Sequence, residues 1–149
     1  MKRTTISEII SMLFVTLFLY TGISKLMEYA VFKEQIAASP VLKPFARWLV
    51  WLLPLSEFSA AILLFVPRWR LKGLYAAETL MALFTGYIIA ILTFSEHLPC
   101  SCGGVLQSLS WKNHLVFNSV LIILALTGIL LERQSHKRSG RSQSLMIYY

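Results

Sequence analysis

The sequence predicts an all-α membrane protein. It reads as a four-transmembrane-helix bundle with a short extracytoplasmic amphipathic helix after the first span and a Cys-x-Cys loop between helices 3 and 4. Three observations predict it. The 149-residue chain is 56% hydrophobic and 14% charged, with a mean hydropathy of +0.65. Soluble domains carry roughly 25% charged residues, so this surface suits lipid better than water. Four apolar runs, at residues 6–26, 45–66, 73–94 and 115–131, approach the about 20 residues a helix needs to cross the hydrocarbon. The fourteen Lys and Arg residues cluster between those runs.

The first run follows Lys2 and Arg3 and has the outline of a signal peptide. No small-x-small cleavage site follows it and three further spans do, so it reads as a retained span. The next connection, EYAVFKEQIAASPVLKPFAR, predicts a short helix at the lipid surface. Ile36 and Ala37 lie on its apolar side, Lys33 and Glu34 on its wet side, and Pro40 and Pro44 break it. Spans two and three form a hairpin around PRWRLK. The fourth run is the shortest and borrows residues 111–114 as an interfacial turn. Residues 1–131 make the membrane domain, and the Ser-rich, basic 132–149 reads as a disordered cytoplasmic tail near anionic lipid.

Basic residues orient the spans. Lys2, Arg3, Arg68, Arg70, Lys72, Arg133, Lys137, Arg138 and Arg141 make nine on one side; Lys25, Lys33, Lys43, Arg47 and Lys112 make five on the other. Both termini are then cytoplasmic and PCSCGG (residues 99–104) lies outside. The net charge of +7 thus serves topology, not nucleic-acid binding. Trp48, Trp51, Trp69 and Trp111 fall where an aromatic belt sits.

Cys100 and Cys102 are the only cysteines. Outside the cytoplasm, thiols meet an oxidising compartment. A disulfide prefers Cα atoms about 4.4–6.8 Å apart, and two residues of extended chain already span about 6.6 Å, so pairing needs a bent backbone. Pro99, Gly103 and Gly104 permit the bend. The ring closes almost no loop and stabilises little, but a strained ring is readily reduced. Ser110 is placed to cap a helix starting at Trp111. The positive end of that helix, and a protonated His97 or His114, would favour a thiolate, with Cys102 nearer the helix. Three functions compete: catalytic thiol–disulfide exchange, a structural bridge, and a zinc or copper site made of Cys100, Cys102, His97 and His114. The loop-length argument favours exchange over the bridge, and the ligand spacing matches no defensible zinc pattern.

Glu57 and Glu78 fall inside spans two and three, where a charge is costly and marks function by default. Counted from the hairpin, their depths differ by roughly 6 Å, about one helical turn, so they are candidates to share a site. Thr16, Tyr20, Tyr87 and Asn118 are candidate partners.

The stretch CSCGGVLQSLSWKNHLVFNSVLIILAL resembles the MauE branch of the DoxX/MauE membrane proteins, through Cys100, Cys102, Gly104, Trp111 and Asn118. YTGISKLMEYAVF is similar to the family's first span at Gly22, Lys25, Leu26 and Phe32, and PLSEFSAAILLF to its second at Pro54 and Glu57. The resemblance covers residues 10–131, and its CxCGG element is the most specific part. It implies a four-helix protein of the bacterial inner membrane and a role in methylamine dehydrogenase maturation, where many disulfides form. Lys25, Glu57 and Asn118 become supporting residues. Quinone-linked disulfide oxidases are also four-helix membrane proteins but use two cysteine pairs; this chain has one. Its electrons must pass directly between the turn and a quinone or a second protein. The expected partners are membrane lipid and an extracytoplasmic thiol or disulfide protein, with no nucleic acid. The runner-up function is a non-enzymatic assembly factor or metal-binding protein.

Overall fold

The computed structural model describes residues 3–39, 42–94 and 111–147. Among these, every regular element is helical: α1 (Arg3–Met27), α2 (Tyr29–Ala38), α3 (Ala46–Phe65), α4 (Arg70–Phe94) and α5 (Trp111–Ile147), with 3-10 turns at Lys43–Phe45 and Pro67–Trp69. Four stretches are long and apolar enough to cross a membrane: Thr5–Met27, Lys43–Phe65, Pro67–Ala90 and Asn113–Lys137.

Local chemistry sets the breaks. Glu28 leaves helical geometry between α1 and α2, and Ser39 is extended before Pro40. Pro44 and Pro67 each open a 3-10 turn, where a missing N–H costs nothing. Pro54 sits inside α3 and is buried. A membrane helix tolerates it because neighbouring helices cover the freed backbone.

The four long helices pack in a ring, α1 beside α3, α3 beside α4, α4 beside α5 and α5 beside α1. Ser7 meets Glu132 while Ile10 approaches Gly128, so α1 and α5 run antiparallel. The proximal end is where α1 begins and α3 turns into α4; α1 and α4 finish at the distal end.

Lipid tails are as apolar as leucine, so burial alone does not drive these helices together. Close packing and polar pairs must do it. The core joins Phe14 and Phe18 of α1, Ala60, Ala61 and Leu64 of α3, Leu74 and Ala77 of α4, and Leu121 and Ala125 of α5. Small residues bring the backbones close. A Cβ on Gly73 would lie 2.6 Å from the Leu64 nitrogen, so only glycine fits there. Outward, Leu55, Leu83 and Ile123 are each 63% exposed, as a lipid-facing surface requires.

Two differences from the sequence expectations concern helix extent. Helix α4 starts at Arg70, inside the PRWRLK turn. Helix α5 continues to Ile147, so residues 132–147 of the segment read as a disordered tail are helical. Residues 131–134, Leu-Glu-Arg-Gln, are strong helix formers and no proline follows them. The Ser7 hydroxyl also donates to Glu132 at 2.7 Å, tying the continuation to α1. Beside this bond Ser11 donates to the Ser7 carbonyl at 2.8 Å, and Arg70 reaches Glu8 at 3.4 Å.

Helix α2 packs against α3 at the distal end. Phe32 and Ile36 are buried against Val50 of α3, with Leu49 and Leu53 beside them, while Lys33 and Glu34 are exposed.

Candidate functional site

Lys25 occupies the last turn of α1, on the stripe that also carries Phe14 and Phe18. In α3, Val50, Pro54, Glu57, Ala61 and Leu64 recur every three or four residues and form the buried face. These two faces meet. The Lys25 ammonium donates to Glu57 Oε1 at 2.6 Å, and the side chains are 9% and 1% exposed. The Phe32 and Phe84 rings lie 5.8 and 5.9 Å from Lys25 Nζ, within cation–π range. An α1 cation is therefore enclosed by an α3 carboxylate and by rings from α2 and α4.

The second carboxylate oxygen, Glu57 Oε2, finds no hydrogen-bond partner among the described residues. Glu57 is among the residues that wall a cavity of about 320 Å³. The walls are largely leucine and phenylalanine, and the polar exceptions are Thr21, Lys25, Glu57, Tyr87, His114 and Asn118. His114 and Asn118 stand one turn apart on α5. Asn118 is buried, and both Asn118 Nδ2 and His114 Nδ1 lack partners among the described residues. Leu83 lines the cavity and is also highly exposed, so the chamber reaches the lipid-facing surface beside α4. An apolar chamber with a few convergent polar groups is the usual form of a small-molecule site.

This arrangement unites some sequence candidates and separates others. Lys25, Glu57, His114 and Asn118 come together around the cavity. Glu78 does not line it, so the two intramembrane acids do not share this chamber. The reason is angular: Glu57 belongs to the buried face of α3, whereas Glu78 is only half-buried on α4. Of the partners expected for the acids, Thr16 instead donates to the Met12 carbonyl at 3.0 Å. The partner of Glu57 is Lys25, which the sequence alone counts among the outer basic residues. The available signal was a lysine and a glutamate in two neighbouring apolar runs.

His97, Cys100, Cys102, Gly103 and Gly104 lie outside the described residues. The helices on either side of their segment are described. Tyr87 and Ile88 near the end of α4, and His114 in the first turn of α5, all border the cavity. No group of three or more His, Cys, Asp or Glu suited to a metal occurs among the described residues.

A family model described as methylamine utilisation protein MauE matches residues 3–131, and the chain belongs to that family. Neither the curated proteins nor the solved structures contain a match. Family membership and four membrane-spanning helices together make it a multi-pass membrane protein.

Proposed function

We propose that this member of the MauE family exchanges disulfides with partner proteins outside the cytoplasm, in the bacterial inner membrane, through Cys100 and Cys102. The observation that carries the reading is positional. The chain's only two cysteines stand one residue apart in the connection between α4 and α5, whose flanking helices wall the cavity. The family description adds an association with methylamine utilisation.

In the oxidising direction, a partner thiolate attacks one sulfur of a Cys100–Cys102 disulfide and releases the other as a thiolate. A second partner thiol resolves the mixed disulfide. The partner leaves oxidised, the pair is left as two thiols, and two electrons have moved. The bundle serves as the mount, fastened at its distal end by the Lys25–Glu57 pair.

Replacing either cysteine with serine should abolish partner oxidation and leave the thermal transition of the purified protein unchanged, because so small a ring adds little stability. A single-cysteine variant should trap the partner as a mixed disulfide. Titration against glutathione should give a midpoint of about −120 to −200 mV, and a value below about −300 mV excludes an oxidant. A membrane-impermeant thiol reagent should label the reduced pair in intact spheroplasts; labelling only after lysis would put the loop on the other side. A second reading is a non-enzymatic assembly factor, favoured by the 37-residue α5, which outlasts its 25-residue span. A scaffold of that kind keeps its function with both cysteines replaced.

A further inference from the structure

We propose that the cavity walled by the later turns of α4 and the first turns of α5 binds the ring of a membrane-soluble quinone, held between Glu57, Asn118 and His114. The proposal rests on the exchange reading and adds the oxidant of the cysteine pair.

Three features select the ligand. The first is the set of unmet hydrogen bonds. Glu57 Oε2 is an acceptor, Asn118 Nδ2 a donor, and His114 Nδ1 takes either role as a neutral imidazole. Glu57 and Asn118 are 1% and 4% exposed, so a polar atom left without a partner on either is costly. An acyl chain would fill the apolar walls and answer none of these groups. A quinone carries two oxygens on opposite edges of a flat ring; as a quinol, each oxygen both donates and accepts. It answers a carboxylate and an amide across one chamber.

The second feature is size and access. The cavity's 320 Å³ falls at the small end of ordinary ligand sites, about 300–1,000 Å³, which suits one ring better than a lipid headgroup with two chains. Leu83 marks a side opening to lipid, the direction from which an isoprenoid-tailed ring would come and into which its tail would run.

Stoichiometry is the third. The chain has one cysteine pair and no second pair to pass electrons onward. When Cys100 and Cys102 close to a disulfide they release two electrons and two protons. One quinone takes all four on its ring oxygens and leaves as quinol, with no other reactant required. His114 lies in the first turn after the connection, so cavity and cysteine loop are joined through a short piece of α5.

The test separates binding from thiol chemistry. A short-chain ubiquinone is titrated into the purified full-length protein in detergent and followed by tryptophan fluorescence. Saturable binding is expected in the wild type and, with equal affinity, in the double variant Cys100→Ser, Cys102→Ser. Asn118→Leu removes the buried donor and should weaken binding about tenfold. Leu83→Trp changes only an exposed position at the mouth, leaves folding intact, and should weaken binding at least as much. The proposal is overturned if folded wild-type protein shows no saturable binding. It is equally overturned if both cavity variants bind like wild type, or if stearate displaces the quinone at equal concentration, which would make this an acyl-chain site. Normal quinone binding beside full partner oxidation in the double-serine variant would defeat the exchange reading and keep the site. Normal exchange without quinone binding would do the reverse.

Discussion

At the proximal end of the bundle, α4 approaches α3 so closely that a Cβ on Gly73 would fall 2.6 Å from a backbone nitrogen. At the distal end the same four helices part around a cavity of about 320 Å³ and enclose a buried lysine–glutamate pair. Glycine and alanine contacts, with the Ser7–Glu132 bond, hold the first end. Charge, aromatic rings and α2 hold the second. In lipid both are needed, because apolar contact between helices is no better than apolar contact with acyl chains. The difference teaches where function has room: a packed end sets the geometry, and a polar, loosely filled end leaves space for a ligand.

The strongest way to break the comparison is to unpair the distal charges. Lys25→Met leaves Glu57 buried opposite no cation, and removal of one partner of a buried pair typically costs about 3–5 kcal/mol. The double variant Lys25→Met, Glu57→Leu should recover most of that loss, since well-packed apolar residues can replace such a pair at little net cost. It should also lose quinone binding. Denaturant unfolding in detergent micelles of the wild type, both singles and the double variant measures the coupling directly. Equal stability of all four would mean that the pair does not fasten the bundle.

The proximal end is tested by one methyl group. Gly73→Ala must push α4 away from the α3 backbone, and overpacking of this kind costs about 1–3 kcal/mol. Gly86→Ala, on the same helix, meets nothing within 4 Å and should be neutral or stabilise by about 0.5–1 kcal/mol. Paired melting curves decide it. Similar behaviour of the two variants would remove the close approach as a cause of stability.

Much of this was legible in the sequence. Four apolar runs fix the number of spans because length and composition suffice for that. The motif residues Lys25, Glu57 and Asn118 are all at the cavity. Pairing was not legible. Lys25 lies at the edge of an apolar run, where a lysine ordinarily reaches the interface, and only helix rotation decides that it turns inward toward Glu57. Arg70 behaves similarly: counted with the loop charges from sequence, it is 7% exposed in the fold. Two of the fourteen charges that orient the spans are therefore buried in the bundle, which narrows the asymmetry behind the topology to eight against four. The helical extension of α5 escaped for another reason. Its basic, Ser-rich composition reads as a solvated tail, and a single hydrogen bond from Ser7 to Glu132 is invisible to local pattern.

The smallest expected effect sharpens the comparison from within the intramembrane acids. Glu57 and Glu78 are the same residue type in two adjacent spans, but they face different surroundings. Glu57 accepts from Lys25 at 2.6 Å and lines the cavity; Glu78 does neither. Glu57→Gln keeps the shape and removes the charge, so it weakens the bond to Lys25 and alters the group facing the ligand. A loss of about 1.5–3 kcal/mol is expected, the range for hydrogen bonds to charged groups, together with lowered partner oxidation. Glu78→Gln has no comparable contact to lose, since Glu78 Oε2 is without a partner among the described residues. A neutral amide is also cheaper to hold in lipid than a carboxylate. Its stability should therefore stay within about 0.5 kcal/mol of wild type, the usual range for substitutions outside such networks, and its activity should be unchanged. Measuring both variants side by side in one detergent removes differences in solvation from the comparison. An equal loss in the two would give Glu78 a structural role and place a second polar fastener on α4, away from the cavity.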